Sequence, residues 1–264
     1  MHALLNVAVM AARRAGSALI KKMANLDKVK VERKGYNDYV SDADLAAERA
    51  IIDCIHKHYP DHAILAEESG AVGDSETTWI IDPLDGTTNF LHGFPVFAVS
   101  IGVEVKGRIE HGVVYDPLRQ ELFTASRGKG AYLDDHRIRV SGQTKLDHAL
   151  IGTGFPFRQA DTEIGPYMAM LAKVLRSTSG IRRPGAAALD LAYVAAGRLD
   201  AFWETGLKPW DLAAGTLLIR ESGGIVSGLD GNENFFDAGH VLTGSPKIYA
   251  AIARLCAHEI KALT

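Results

Sequence analysis

Apolar residues recur at helical spacing in two stretches near the start of the chain. The first holds Leu4, Ala8, Ala11, Ala15 and Leu19; the second holds Ala47, Ile51, Cys54 and Ile55 with His58, and follows Ser41-Asp42, a pair suited to capping a helix. Two amphipathic helices are predicted. β-rich runs follow at Ala63–Ala66, 79–81, 97–105, 109–115 and 121–125, with turn residues at Lys106-Gly107, Asp116-Pro117 and Gly128-Lys129-Gly130. Their close, even spacing predicts an antiparallel meander. From Leu150 the pattern becomes strand, helix (161–175), helix (186–196), strand (199–204), helix (211–221), further strands, and a last helix from Pro246. No repeat or low-complexity tract interrupts it, so 1–264 is expected to be one unit of two α/β halves meeting near residue 146.

Composition narrows the function classes. With 264 residues, 47% of them hydrophobic, the chain has the material for a substantial core, and disorder is not expected to dominate. A formal charge of −3 excludes the broad basic field of a nucleic-acid binder and leaves only local groups such as Arg182-Arg183 and the arginines of 137–139. Cys54 and Cys256 both fall in apolar helical patterns and read as reduced structural thiols. The stretch 3–12 is apolar, but Arg13 and Arg14 follow it instead of preceding it, unlike a signal peptide. A cytoplasmic protein with no membrane anchor is expected.

The most informative segment is 79–89, WIIDPLDGTTN, in which an apolar strand runs into two aspartates three residues apart and then a Gly-Thr-Thr turn. Pro83 withholds a donor and Gly86 permits an unusual backbone angle, so a sharp turn just past the strand would let both carboxylates face one point. Magnesium takes hard oxygen ligands, and paired sites share a bridging carboxylate, for which Asp82 and Asp85 are suited. A helix starting near Gly86 would offer the amides of Gly86, Thr87 and Thr88 to a phosphate. Glu67-Glu68, after the Ala63–Ala66 strand, and Trp210-Asp211, at a helix start, are similar acidic spots. Taken singly, such acids are more often solvated or capping. That reading weakens for Asp82 and Asp85, because Ile80, Ile81, Pro83 and Leu84 surround them and burying two acids there without a cation is costly.

Together, Asp82 to Thr88, Glu67-Glu68 and Trp210-Asp211 resemble the signature set of the inositol monophosphatase family, in its bacterial SuhB-type branch, and the order of elements along nearly the whole chain is similar too. The resemblance implies a layered α-β-α-β-α sandwich within the α/β (α+β) class, two to three Mg2+ ions, lithium sensitivity and a homodimer. By it, Glu67, Asp82 and the Leu84 carbonyl hold a first ion; Asp82, Asp85 and Asp211 hold a second; Glu67 helps a looser third. Asp44 and Thr87 position a water, and Lys34 occupies the family's lysine position. For the alcohol the family uses a glycine-led turn and a downstream glutamate, here Gly185, Ala186, Ala187 and Glu204, with Asp85 and Asp211 also facing the substrate. Alanine replaces the usual Thr or Ser at position 186. The implied reaction is hydrolysis of myo-inositol 1-phosphate. Fructose 1,6-bisphosphate and 3′-phosphoadenosine 5′-phosphate are alternatives on the same core, and a non-catalytic role with the transcription and ribosomal-RNA machinery is an alternative of another class.

Competing chemistries lack their residues. A haloacid-dehalogenase-type nucleophile would lie two residues before Asp85, where the chain has Pro83. Neither a nucleotide-binding P-loop, nor a G-x-S-x-G elbow, nor an H-E-x-x-H pattern occurs. The acidic motif supplies metal ligands and a water-positioning threonine but no unencumbered nucleophile, so direct hydrolysis without a phosphoenzyme is expected.

Overall fold

The computed structural model describes residues 2–35, 38–156 and 164–264. Helix α1 (Ala3–Met23) begins where the His2 side chain accepts from the Leu4 amide, and it buries Leu5, Val7, Ala8, Ala11, Ala12, Ala15 and Leu19. At 21 residues it matches a membrane span in length and apolar composition. Its apolar face is instead taken up by the core, where each large side chain contributes roughly 1.5–3 kcal/mol. A hairpin follows, β1 (Val31–Gly35) and β2 (Asp38–Ser41). The pattern gave no sign of it, because every β1 residue is exposed and no apolar alternation marks it. Helix α2 (Asp42–His58) starts at the expected cap, Ser41, and packs against α1.

Strands β3 (Ala63–Ala66), β4 (Gly70–Val72) and β5 (Thr77–Asp85) come next, then the short helix α3 (Thr87–Leu91). They are followed by β6 (Ala98–Val105), β7 (Arg108–Asp116), β8 (Glu121–Ser126), β9 (Gly130–Leu133) and β10 (His136–Arg137). These strands form one sheet in the order β10-β9-β8-β7-β6-β5-β3-β4. From β5 to β8 it is the expected meander, which β9 and β10 extend beyond the runs foreseen, but β3 and β5 are parallel neighbours, with Ala66 opposite Ile81. β4 folds back along the outer edge of β3, so the chain enters β5 on the other side of β3 in the same direction. The C-terminal ends of β3 and β5 therefore lie side by side.

The rest of the chain runs β11 (Leu150–Thr153), α4 (Gly165–Ser177), β12 (Gly180–Arg182), α5 (Ala187–Ala195), β13 (Ala201–Glu204), α6 (Pro209–Glu221), β14 (Ile225–Ser227), α7 (Phe235–Ala238), β15 (Val241–Gly244), α8 (Pro246–Leu255) and α9 (Ala257–Leu263). A second sheet forms in the order β12-β11-β13-β15-β14. Strand β12 was not foreseen, and the expected last helix is broken into α8 and α9 at Cys256. The start of the helix expected over 161–175 falls partly outside the described residues; α4 begins at Gly165.

Three apolar cores separate five layers. One lies between α1, α2 and the first sheet. A second joins the other face of that sheet to α5, α6 and the second sheet. The third lies between the second sheet and α4, α8 and α9. This is the α-β-α-β-α sandwich, a mixed α/β fold. Helix α6 reaches the first sheet closely because β6 and β7 carry Gly102 and Gly112 beneath it: a Cβ on Gly102 would stand 2.6 Å from Ala213 Cβ, and one on Gly112 2.8 Å from Ala214 O.

Candidate active site

Residues three apart on a regular strand point to opposite faces. Asp82 and Asp85 escape this rule: Asp82 pairs with Ser100 and Asp85 with Ala98, so three steps on β5 match two on β6. The extra residue makes a bulge through Pro83-Leu84, closed by the Leu84 amide donating to Asp82 Oδ1 at 2.9 Å. Instead of the sharp turn expected after Ile81, the strand continues to Asp85 and bulges on the way. The turn comes at Gly86, whose φ of +95° is left-handed, and a Cβ there would stand 3.0 Å from Val96 O.

Beyond Gly86, α3 places the Thr87 hydroxyl 3.0 Å from Asp44 Oδ1 and 3.1 Å from Leu84 O. Asp44 sits in the first turn of α2, where its Oδ2 accepts from the Ser41 amide at 2.8 Å and the Ser41 hydroxyl at 2.6 Å. One aspartate thus caps α2 and holds Thr87. Burial pushes the Asp44 carboxyl above its ordinary range, against the pull of those donors.

Asp211 arrives from the other side. Ser100, the partner of Asp82 on β6, donates its hydroxyl to Trp210 O at 3.1 Å, which pins the start of α6 over the end of β5. Asp211 Oδ2 accepts from the Lys208 amide at 2.7 Å. Carboxylate oxygens of Asp82, Asp85 and Asp211 lie within 4.8 Å of one another, and all three residues are buried. Glu67 stands beside Asp82 because β3 runs parallel to β5, its amide donating to Ile81 O at 3.1 Å. Lys34 lies 2.6 Å from Glu68 and 3.5 Å from Glu67.

The alcohol-side residues flank this group. Asp85 Oδ2 accepts from the Ala188 amide at 2.7 Å, in the first turn of α5. Ala186, the N-cap of α5, has no side chain able to cap it, so Asp85 does part of that work. Gly185 and Ala186 border Gly86, and Asn89 Nδ2 donates to Val96 O at 2.8 Å and Pro184 O at 2.9 Å, tying α3 to the loop before α5. Ala187 is buried in the first turn of α5. Glu204 ends β13 and Thr88 lies exposed in α3; neither belongs to the carboxylate triad. Sequence reasoning missed Ser41, Asn89 and Ser100 as organisers of the site, and it missed Asp190, an acid buried in α5. Only Ser41 carried a readable signal, its capping position.

Burial foremost, then the charges of Glu67, Asp85 and Asp211, raise the Asp82 carboxyl well above its ordinary value. Crowded, buried, hard oxygen donors of this kind fit a divalent cation such as magnesium, which would cancel the repulsion. A cavity of about 680 Å3 lies elsewhere, between His2 and Leu5 of the N-terminus and strands β7 to β9. It shares no residue with the triad and offers no comparable convergence of acids.

Residues 1–261 match the model of the inositol monophosphatase family. The chain is 51% identical over 257 residues to Nus factor SuhB of Pseudomonas aeruginosa, covering 96% of this chain and 95% of that protein. Among solved structures, extragenic suppressor protein suhB from Bartonella henselae superposes with a TM-score of 0.94 at 46% identity, covering 97% of this chain and 99% of that one. Inositol monophosphatase from Anabaena superposes at 0.85 and 38% identity, covering 96% and 95%. Fold, buried triad and likeness over almost the full length agree: the chain belongs to the inositol monophosphatase family.

Proposed function

We propose that this protein hydrolyses the phosphate monoester of a small polyol, with myo-inositol 1-phosphate as the preferred substrate. The observation that carries the reading is the buried triad of Asp82, Asp85 and Asp211, which fits the metal dependence of this family of magnesium-dependent phosphomonoesterases. Glu67, Asp82 and the Leu84 carbonyl would hold one Mg2+ ion; Asp82, Asp85 and Asp211 would hold a second, and Glu67 would assist a third. When bound, the ions supply Lewis acidity and neutralise phosphate charge. The chain's own groups do the rest. The Thr87 hydroxyl donates its hydrogen bond to Asp44 Oδ1 or Leu84 O, which leaves its oxygen lone pairs to accept from a water and aim it at phosphorus. The first-turn amides at Gly86, Thr87 and Thr88 hold the phosphate, and Asp85, Asp211, Glu204 and the turn Gly185, Ala186, Ala187 receive the alcohol. No side chain in this arrangement is placed as a free nucleophile, so the phosphoryl group passes directly to water: the new P–O bond forms as the bond to the alcohol breaks, and the alcohol oxygen leaves with a proton that the attacking water gives up.

Phosphate release should be assayed with magnesium on myo-inositol 1-phosphate, glycerol 2-phosphate, fructose 1,6-bisphosphate and 3′-phosphoadenosine 5′-phosphate. Myo-inositol 1-phosphate is expected to give the highest kcat/KM. Preference for either of the last two would move the assignment to that substrate, and no release from any of the four would overturn it.

A second reading has an observation of its own. The Pseudomonas relative carries the name Nus factor, a transcription-factor name, and such names support a role with the transcription machinery better than they support inositol monophosphate hydrolysis. The two roles are separable. Asp82→Asn should abolish phosphate release and leave activity in a reconstituted transcription assay unchanged; an assay indifferent to the wild-type protein would remove this reading.

A further inference from the structure

Strand β11 and its continuation carry glycine at two positions two residues apart, Gly152 and Gly154. Both clear space on the face of the second sheet that α5 covers. A Cβ on Gly152 would stand 2.8 Å from Leu199 Cδ1, 3.2 Å from Phe202 Cδ2 and 3.4 Å from Asp190 Oδ1. A Cβ on Gly154 would coincide with the carboxylate of Glu204. Two successive hollows along one strand edge therefore receive two acids, one from α5 and one from the end of β13. β11 and β13 are parallel neighbours, Gly152 opposite Phe202, so both hollows lie at C-terminal strand ends, where α/β sheets bind ligands.

Asp190 is the unusual member. It is 1% exposed, and its Oδ1 has no hydrogen-bond partner among the described residues. An ionised carboxylate left so is costly, and burial foremost, then the charges of Glu204 and Asp85, raise its pKa well above the ordinary value, against Arg183. Both acids that act on it belong to the site, Asp85 at the metal end and Glu204 at the alcohol end. A residue needed only for packing at this position would be apolar, like its neighbours Leu189 and Leu191.

We propose that Asp190 is a positioning residue for substrate choice: seated in the hollow left by Gly152, its carboxyl group backs Glu204 in the hollow left by Gly154 and fixes the orientation in which Glu204 meets the hydroxyls of a polyol phosphate. The inference rests on the phosphatase reading above and deepens it. Seated there, Asp190 offers Glu204 a buried polar neighbour. Asparagine keeps that shape and polarity without a charge; alanine and leucine remove the polar atoms, and leucine keeps the volume.

The test is the ratio of kcat/KM for myo-inositol 1-phosphate over glycerol 2-phosphate, the smaller alcohol presenting less to Glu204, in wild type, Asp190→Asn, Asp190→Ala and Asp190→Leu. Removing the carboxyl group that backs Glu204 should raise KM for the inositol ester about tenfold in Asp190→Ala, with kcat and the glycerol ester changed less than about twofold. Asp190→Asn should retain the wild-type ratio. If Asp190→Ala does not fold, Asp190→Leu decides by the same ratio. Equal losses on both substrates, an unchanged ratio in the alanine and leucine variants, or an asparagine variant as impaired as alanine would each overturn the role of Asp190 and leave the phosphatase standing. A wild type that hydrolyses neither ester would overturn both.

Discussion

Asp82→Asn separates the cost of the carboxylate cluster from its use. Two unit charges 4.8 Å apart repel by roughly 3.5 kcal/mol at an effective dielectric of 20, so the fully ionised, metal-free triad would carry about 10 kcal/mol of repulsion. The protein does not sustain this, because a carboxyl group with an ordinary pKa of 3.8 can be protonated at pH 7 for about 4.4 kcal/mol. That figure caps the strain that Asp82 imposes in the absence of metal. Asparagine removes the charge and keeps an oxygen able to accept from the Leu84 amide. The metal-free variant should therefore be more stable than metal-free wild type, by up to about 4 kcal/mol. For a chain of this size each kcal/mol moves Tm by roughly 2–4 °C. Magnesium should act in the opposite sense: at one hundred times its dissociation constant a ligand of the native state adds about 2.7 kcal/mol to wild type, and the variant should lose most of that gain. Calorimetric melting of both proteins with chelator and across a magnesium titration, with potassium chloride controlling ionic strength, reads both effects. A variant that melts below wild type without metal, or that magnesium stabilises as much as wild type, would refute the crowded-carboxylate account.

Other expectations rest on single contacts. Thr87→Ala should lower kcat about a hundredfold with little change in KM, and Thr87→Ser should recover most of it, because the hydroxyl held by Asp44 acts on the water and not on binding; steady-state kinetics decide. Gly86→Ala should lower the urea midpoint by the equivalent of roughly 1–2 kcal/mol, since it places a side chain at φ +95° and against Val96 O. Without metal, unfolding free energy should fall as pH rises from about 4 to 8: Asp82, Asp190, Asp44 and Glu68 have raised values, so the native state holds protons that the unfolded chain has released. Saturating magnesium should remove the Asp82 share of that slope, while the salt-bridged Glu121 and Glu259, with lowered values, act in the opposite sense around and below their ordinary value of 4.5.

Local chemistry was legible from residues alone. The 3.6-residue period of 4–19 and 47–58, the Ser41 cap and the run WIIDPLDGTT report on helices, a strand and an acidic turn without knowledge of neighbours, and the resemblance they carried led to the right family. What the pattern could not contain was the relation between distant segments. Even strand spacing is equally compatible with a plain meander, yet the parallel pairing of β3 with β5 is what sets Glu67 beside Asp82 instead of at the far end of the sheet. A count of three between two aspartates says they face apart, and only the bulge matched against Ser100 and Ala98 turns them together. Asp211 joins them through one serine hydroxyl and two glycines that let α6 lie close to the sheet. Asp190, mid-helix among apolar residues, carried no signal of its own in the sequence; the second sheet, folding over α5, buries it where the charge of Glu204 acts on it. Periodicity and turn chemistry act over a few residues and so are written in the chain, whereas sheet order, bulge register and the depth of a buried charge are set by partners fifteen to more than a hundred residues away.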